Sequence, residues 1–210
     1  MLNNYDKIAK HYDFLSRLVF SKSQVNAQIN QLKYISKGDC ILIVGGGTGW
    51  ILEEIAALYP SGIEITYVEI SEKMIDISKA RHCGLNKVIL VNLGIEEFES
   101  DRAFDIIATP FLFDNFSKQR AEGIFKKLDK LLKNEGLWFM ADFTTDHKNG
   151  RWWKKLFLKI MYTFFKMAGN VEARSLVNMT TYFDKASYLP MHEAFYYGRF
   201  IKATIYRKLK

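Results

Sequence analysis

The chain has 210 residues, 49% of them apolar and 25% charged, with three prolines and a formal net charge of +7. That is enough apolar material for one full core, and it excludes a low-complexity or disordered chain. The charge suits an anionic partner or simple solubility and chooses neither. Two cysteines, Cys40 and Cys83, are too few and too far apart for a disulfide framework or a cysteine-based metal site. We therefore expect reduced thiols and no metal. The N-terminal segment MLNNYDKIAKHYDF has charges and no apolar h-region, so it does not read as a signal peptide. The longest apolar candidate, Leu156 to Phe165, is interrupted by Lys159 and falls short of the roughly 18 residues that cross a bilayer. A cytoplasmic protein is expected.

In chain order, residues 5–20 alternate charged and apolar side chains in helical fashion, and Val25, Ile29 and Leu32 mark a helix over 22–35. Cys40–Val44 reads as a buried strand running into glycines. Ile51, Leu52, Ile55, Ala56 and Tyr59 predict a helix, ended by Pro60-Ser-Gly. Glu64–Ile70 is β-branched and aromatic, a second strand. Ser71 caps a helix to about Arg81. Strands follow at Val88–Leu93 and Phe104–Thr109, then a long helix from Ser117 to near Gly136 and a fifth strand at Leu137–Phe143. Arg151–Met167 reads as an aromatic-rich helix and Met179–Leu189 as a short one. Glu193–Tyr197 and Phe200–Arg207 read as two hairpin-like strands around Gly198.

Strand–helix alternation at this spacing predicts βαβ units with right-handed crossovers. The expected fold is α/β: a Rossmann-like, doubly wound, seven-stranded sheet, mostly parallel, with a C-terminal antiparallel strand pair. One domain over 1–210 is expected, with an N-terminal helical cover (1–37), a ligand-binding core (38–145) and a helix plus terminal strands (146–210). Ligands in such sheets sit at the carboxyl ends of the strands, where the glycines fall.

The segment Ile41-Leu-Ile-Val-Gly45-Gly46-Gly47-Thr48-Gly49 joins the first strand to its helix. A dinucleotide fingerprint, G-x-G-x-x-G, fails: Trp50 or Leu52 stands where the third glycine belongs. A P-loop fails because Trp50, not lysine, follows Gly49. The loop therefore suits a nucleoside without a pyrophosphate. Glu69 ends the second strand about 20 residues on, the separation that places a carboxylate against ribose hydroxyls. An acceptor-only group can take both hydroxyl protons.

ILIVGGGTG resembles the first motif of class I S-adenosylmethionine-dependent methyltransferases, and YVEIS followed by Met74 resembles the segment after it. The resemblance implies S-adenosylmethionine as cofactor, with Gly45, Gly46, Gly47 and Gly49 in the loop and Glu69 on the ribose. It further implies Ile70 packed on adenine and Met74 in the same pocket, with Gly94 and Ile95 after the third strand. The opening YDKIAKHYDFLSRLVF is similar to the N-terminus of the ubiquinone/menaquinone-biosynthesis C-methyltransferases, where it covers the cofactor with an aromatic at the position of Tyr12. Two polar anchors of the pattern are replaced. Ile43 stands where an acid two before the first glycine assists the cofactor's ammonium, and Gly94 stands where an aspartate meets the adenine amino group. Glu96 lies close to the second.

Methyl transfer from a sulfonium is an in-line displacement in which the protein mainly aligns the reactants. A general base is useful when the acceptor is a phenol, an alcohol or an enolisable carbon. Candidates are Asp142 and His147 near the end of strand five and His11 in the covering segment, with Tyr12 beside it. Thr109 and Pro110 are expected to line the transfer pocket. The function expected is methylation of a small, apolar or lipid-like acceptor. The alternatives are a non-catalytic fold of this type acting as a binding protein and a nucleic-acid methyltransferase. The basic residues Lys118, Arg120, Lys126, Lys127, Lys130 and Lys133 and those near the C-terminus leave nucleic acid as the disfavoured partner. Residues 151–168 carry a lysine stripe opposite tryptophans. Such a helix can pack on the sheet, cover a substrate or lie on a membrane surface.

Overall fold

A computed structural model describes residues 6, 9, 18–145, 152–154, 156–160, 163, 173 and 175–209. Seven strands form one sheet in the order β3-β2-β1-β4-β5-β7-β6. They are β1 (Cys40–Val44), β2 (Ser61–Val68), β3 (Leu85–Val91), β4 (Phe104–Pro110), β5 (Leu132–Phe143), β6 (Tyr188–Tyr196) and β7 (Ile201–Lys208). The first five pair in parallel, and β7 runs antiparallel between β5 and β6. The helices are α1 (Ser23–Leu32), α2 (Trp50–Leu58), α3 (Glu72–Lys79), α4 (Lys118–Leu131) and α5 (Thr180–Lys185), with a 3₁₀ turn at Phe113–Asn115.

The inner strands are apolar on both faces, as a sheet covered on both sides requires. Leu42, Val44, Ile107 and Trp138 face α4 and α5, where Phe125 and Phe183 pack on Trp138 with ring centroids 5.2 and 5.0 Å away. Ile41, Ile43, Ile106 and Phe139 face the other way, under α1 and α2. A third cluster, around Phe143 and Phe200, lies beneath Phe20 and Leu158.

Strand order reverses between β1 and β4, and that switch point opens the crevice in which such sheets hold ligands. Boundaries differ from the sequence reading where side chains override pattern. The fourth-strand helix stops at Leu131 rather than near Gly136, because Leu132 already pairs with Phe104 and opens β5. The short helix after Met179 stops at Lys185 rather than reaching Leu189. Ser187 takes φ +59°, and Tyr188 turns in to donate to Asp129 Oδ1 at 2.7 Å. β3 starts three residues early, at Leu85, and ends at Val91.

Residues 152–154 and 156–160 are helical. Their inner side packs on the hairpin joining β6 to β7: the Trp153 and Phe157 rings lie 5.6 and 5.7 Å from that of Phe200. Lys154, which interrupts the apolar arc in sequence, is buried, and its Nζ donates to Arg199 O at 3.0 Å. Tyr197, Gly198 and Arg199 at the hairpin tip all have positive φ, which turns that carbonyl toward the lysine.

Candidate functional site

The loop after β1 is built by its glycines. Gly46 has no room for a side chain, since a Cβ there would stand 2.5 Å from the Tyr67 ring. Gly47 has φ +67°, a left-handed conformation that glycine adopts without strain. Its N–H donates to Glu69 Oε2 at 3.1 Å, and its carbonyl accepts from Tyr67 Oη at 2.9 Å and Ser78 Oγ at 3.3 Å. Arg81 braces the far side, donating through Nε to Thr48 O at 3.0 Å.

Glu69 is placed by the end of β2, where its own N–H bonds Val91 O at 3.0 Å. Its other carboxylate oxygen accepts from Ser71 N at 2.9 Å. The side chain is 5% exposed. Burial pushes its pKa up to about 7, against the downward pull of the amides of Ser71, Gly47 and Ile70, while Asp6 nearby adds a further upward push. Each oxygen keeps acceptor capacity for a hydroxyl donor in the cleft.

The cleft continues from these two elements. Ile70, Met74 and Ile95 form an apolar wall, and Gly94 sits between them without a side chain. A Cβ on Gly94 would meet Ile70 Cδ1 at 3.6 Å and Glu96 Oε2 at 3.7 Å. Arg120 holds Glu96 through Oε1, with Nε at 2.9 Å, and Glu96 also lines the cleft. From α1 come Gln24 and Gln28, from the end of β4 comes Pro110, and from the turn after it come Phe111, Leu112 and Asn115.

That turn is strained. Phe111 has φ +50°, a region that costs an aromatic side chain about 1–3 kcal/mol. Its N–H donates to Ala141 O at 2.7 Å, and Asn115 Nδ2 donates to Phe111 O at 2.9 Å and Leu112 O at 3.2 Å.

The structure therefore brings Gly45, Gly46, Gly47, Glu69, Ile70, Met74, Gly94 and Ile95 together in one cleft. Gly49 stands apart, at the N-cap of α2 and against Ser78. Thr109 requires a correction. It is fully buried on the other side of the strand, and its Oγ1 accepts from Trp138 Nε1 at 2.9 Å, so the cleft wall begins at Pro110. Asp142 also departs from the role of base: it does not line this cleft but a second cavity beside it. His11, Tyr12 and His147 lie outside the described residues. Ile43 faces the core under α1 and α2. Asp6, in the N-terminal segment, accepts from Ser71 Oγ at 2.6 Å and Lys73 N at 3.3 Å, over the start of α3. Sequence reasoning missed Gln24, Gln28, Phe111, Leu112 and Asn115, which reach the cleft only through the packing of α1 and the turn after β4.

The cleft fits an adenosyl group. Backbone amides and a glycine cradle line one side, a buried carboxylate stands beside them, and Ile70 flanks an apolar slot. Among the described residues no group of three or more His, Cys, Asp or Glu side chains could hold a metal.

Residues 41–136 match the family described as methyltransferase domain. The chain is 30% identical over 148 residues to a ubiquinone/menaquinone biosynthesis C-methyltransferase of Geotalea daltonii, covering 67% of this chain and 62% of that protein. It is 27% identical over 137 residues to a demethylmenaquinone methyltransferase of Staphylococcus aureus, covering 63% and 56%. The chain thus spans less than two thirds of these curated relatives. In fold it is similar to the N-methyltransferase NodS of Bradyrhizobium japonicum, solved with S-adenosylhomocysteine, at a TM-score of 0.63 and 11% identity over 89% of this chain and 84% of that one. It is likewise similar to an S-adenosylmethionine-dependent methyltransferase of Aquifex aeolicus, at a TM-score of 0.63 and 16% identity over 96% and 97%.

Proposed function

We propose that the chain, whose residues 41–136 match a methyltransferase domain, is a class I S-adenosylmethionine-dependent methyltransferase that methylates a small, apolar or lipid-like acceptor. The observation that carries the cofactor assignment is the pairing of Gly47 N–H and buried Glu69 at the floor of the cleft, 3.1 Å apart. When bound, the sulfonium cofactor supplies an activated methyl group for in-line displacement. Gly45 to Gly47 and Glu69 hold its ribose end, Ile70, Met74 and Ile95 flank the adenine, and Glu96, held by Arg120, meets the adenine edge in place of the missing aspartate. Ile43 leaves the cofactor's ammonium without its usual carboxylate partner. Asp6 is tied to the start of α3, and by resemblance His11 and Tyr12 are proposed to serve the acceptor.

Three features support an apolar acceptor: the lining by Phe111, Leu112 and Phe116, the named activity of the quinone-biosynthesis relatives, and the helical segment at 152–160. There Trp152, Leu156 and Ile160 are 75%, 53% and 60% exposed. That outward stripe is proposed to rest on a membrane surface from which the acceptor is drawn. No described helix is long and apolar enough to cross a membrane. A nucleic-acid acceptor is disfavoured because three of the five cations of α4 face acids: Arg120 pairs with Glu96, Lys126 with Glu122 and Lys127 with Glu99, and Lys133 beyond the helix pairs with Asp105.

Calorimetric titration with S-adenosylmethionine and S-adenosylhomocysteine tests the reading. Micromolar binding is expected, followed by turnover on quinone precursors or lipids. An affinity no better than millimolar would turn the cleft into that of a non-catalytic binding protein.

A further inference from the structure

Gln24, Gln28 and Gln31 of α1 recur at i, i+4 and i+7 and so share one helical face. It is the face that the helix turns to the sheet: Gln24, Ala27, Gln31 and Leu32 are buried, and Gln28 is half-buried. Amides on such a stripe need partners, because a buried polar group left unmet is costly. Gln31 has them. Its Nε2 donates to Met140 O at 3.1 Å and to Thr204 O at 3.2 Å, which pins α1 across β5 and β7. Just past the helix, Tyr59 Oη donates to Ile35 O at 2.7 Å and ties the chain to the end of α2.

Gln28 lies about one turn before Gln31 on the helix thus fixed, and its side chain reaches the cleft. With Pro110 it also borders a small apolar cavity lined by Ile43, so it stands on the Ile43 side of the cleft. Its Nε2 donates to Gln24 O at 3.2 Å. That bond occupies the donor end of the amide. Among the described residues none donates to Oε1, which is left as an acceptor.

The charged side chains that line the cleft are Glu69, Glu96 and Arg120. Glu69 accepts from Gly47 N and Ser71 N, and Glu96 pairs with Arg120. The rest of the polar lining is neutral: the amides of Gln24, Gln28 and Asn115 and the indole of Trp50. Asn115 turns its amide nitrogen to Phe111 O and Leu112 O. S-adenosylmethionine ends in an α-amino acid, and an ammonium is a donor only, so that end needs an acceptor oxygen.

We propose that Gln28 is a binding residue for this ammonium, its Oε1 accepting on the side of the cleft where Ile43 offers no oxygen. The inference rests on the cofactor reading above and names the side chain that holds the cofactor's amino-acid end.

Calorimetry with two ligands separates this contact from the rest of the cleft. S-adenosylhomocysteine carries the amino-acid end, and methylthioadenosine has the adenosyl thioether without it. The intact wild-type protein is expected to bind the first about ten-fold more tightly, the effect of one charge-assisted hydrogen bond. Gln28→Met keeps the side chain's length and helix preference and removes the oxygen. It is expected to weaken S-adenosylhomocysteine about ten-fold and to leave methylthioadenosine unchanged. Gln28→Glu puts a carboxylate at the same reach and is expected to raise the preference for S-adenosylhomocysteine several-fold above wild type. A Gln28→Met variant that binds the two ligands in the wild-type ratio overturns the proposal; if both affinities fall together, Gln28 serves the packing of α1 instead. If the methionine variant unfolds, Gln28→Glu decides, and a wild-type ratio there also overturns it. Wild-type protein that binds both ligands equally keeps the adenosyl reading and overturns this inference alone. Wild-type protein that binds neither removes the cofactor reading and this inference with it.

Discussion

Glu69 holds its proton more tightly than a surface glutamate because burial outweighs its amide partners. In the proposed contact ribose hydroxyls donate to its charged form, so binding should release a proton. Cofactor affinity is therefore expected to rise with pH up to about 7 and then level off, and calorimetry in buffers of different ionisation enthalpy would count the proton. Free-protein stability runs the other way: the raised pKa stabilises the fold below the unfolded value of 4.5, and this contribution is lost as pH climbs through about 7. Glu69→Ala should weaken S-adenosylhomocysteine binding ten-fold or more, on about 1.5–3 kcal/mol for a charged hydrogen bond. Unchanged affinity with the fold intact would remove the ribose contact. The glycine loop and Glu69 were legible in the sequence because each is tied to the end of one strand. Thr109 was not, because neighbouring strand residues point to opposite faces and a misjudgement of one position moves a side chain from cleft to core. Phe111 gave no signal at all: its conformation is imposed by Ala141, thirty residues away in the chain.

Elements came through where periodicity was strong. β1, α2 and β4 match their sequence spans within a residue or so, since apolar runs bounded by glycine or proline leave few alternatives. α4 was extended too far because Leu131 and Leu132 continue a helical pattern that pairing with β4 cuts short. The packing of α4 and α5 on the sheet runs through Phe183, which lies edge-on to Phe125, Trp138 and Tyr188 and stacks on Tyr206 at 3.9 Å. Phe183→Ala should cost about 3–5 kcal/mol in denaturant unfolding, the range for deleting a fully buried aromatic side chain. A loss under 1 kcal/mol would mean that α5 packs loosely. Lys154 shows what composition alone left open for the helical residues 152–154 and 156–160. The lysine that spoils the apolar arc is the one that anchors the segment to the hairpin tip.

For the whole molecule, the net charge of +7 left an anionic partner and simple solubility both open. The pairing of Arg120, Lys126 and Lys127 leaves the total unchanged but makes the local field at α4 weaker than its own cations imply, and exposed ion pairs of this kind contribute little to stability. Acceptor turnover is accordingly expected to vary only weakly between low and physiological salt, whereas a phosphate-binding acceptor would lose orders of magnitude. The exposed Trp152, Leu156 and Ile160 make a second expectation. Cosedimentation with anionic phospholipid vesicles should fall several-fold in Trp152→Ala/Leu156→Ala, with S-adenosylhomocysteine affinity unchanged. Equal sedimentation of variant and wild type would separate the stripe from membranes. The sequence carried the sheet's composition and class, but how α1 lies across β5 and β7 is a tertiary fact, and with it went Gln24 and Gln28.

The position of β7 has a consequence for biogenesis. Five parallel strands and their crossovers are complete by residue 143, yet the strand that closes the flank of β5 does not appear until Ile201. On the ribosome the nascent chain thus carries an open β-edge through some sixty residues of further synthesis, a template for pairing with another nascent chain. Chaperone demand should concentrate in that interval.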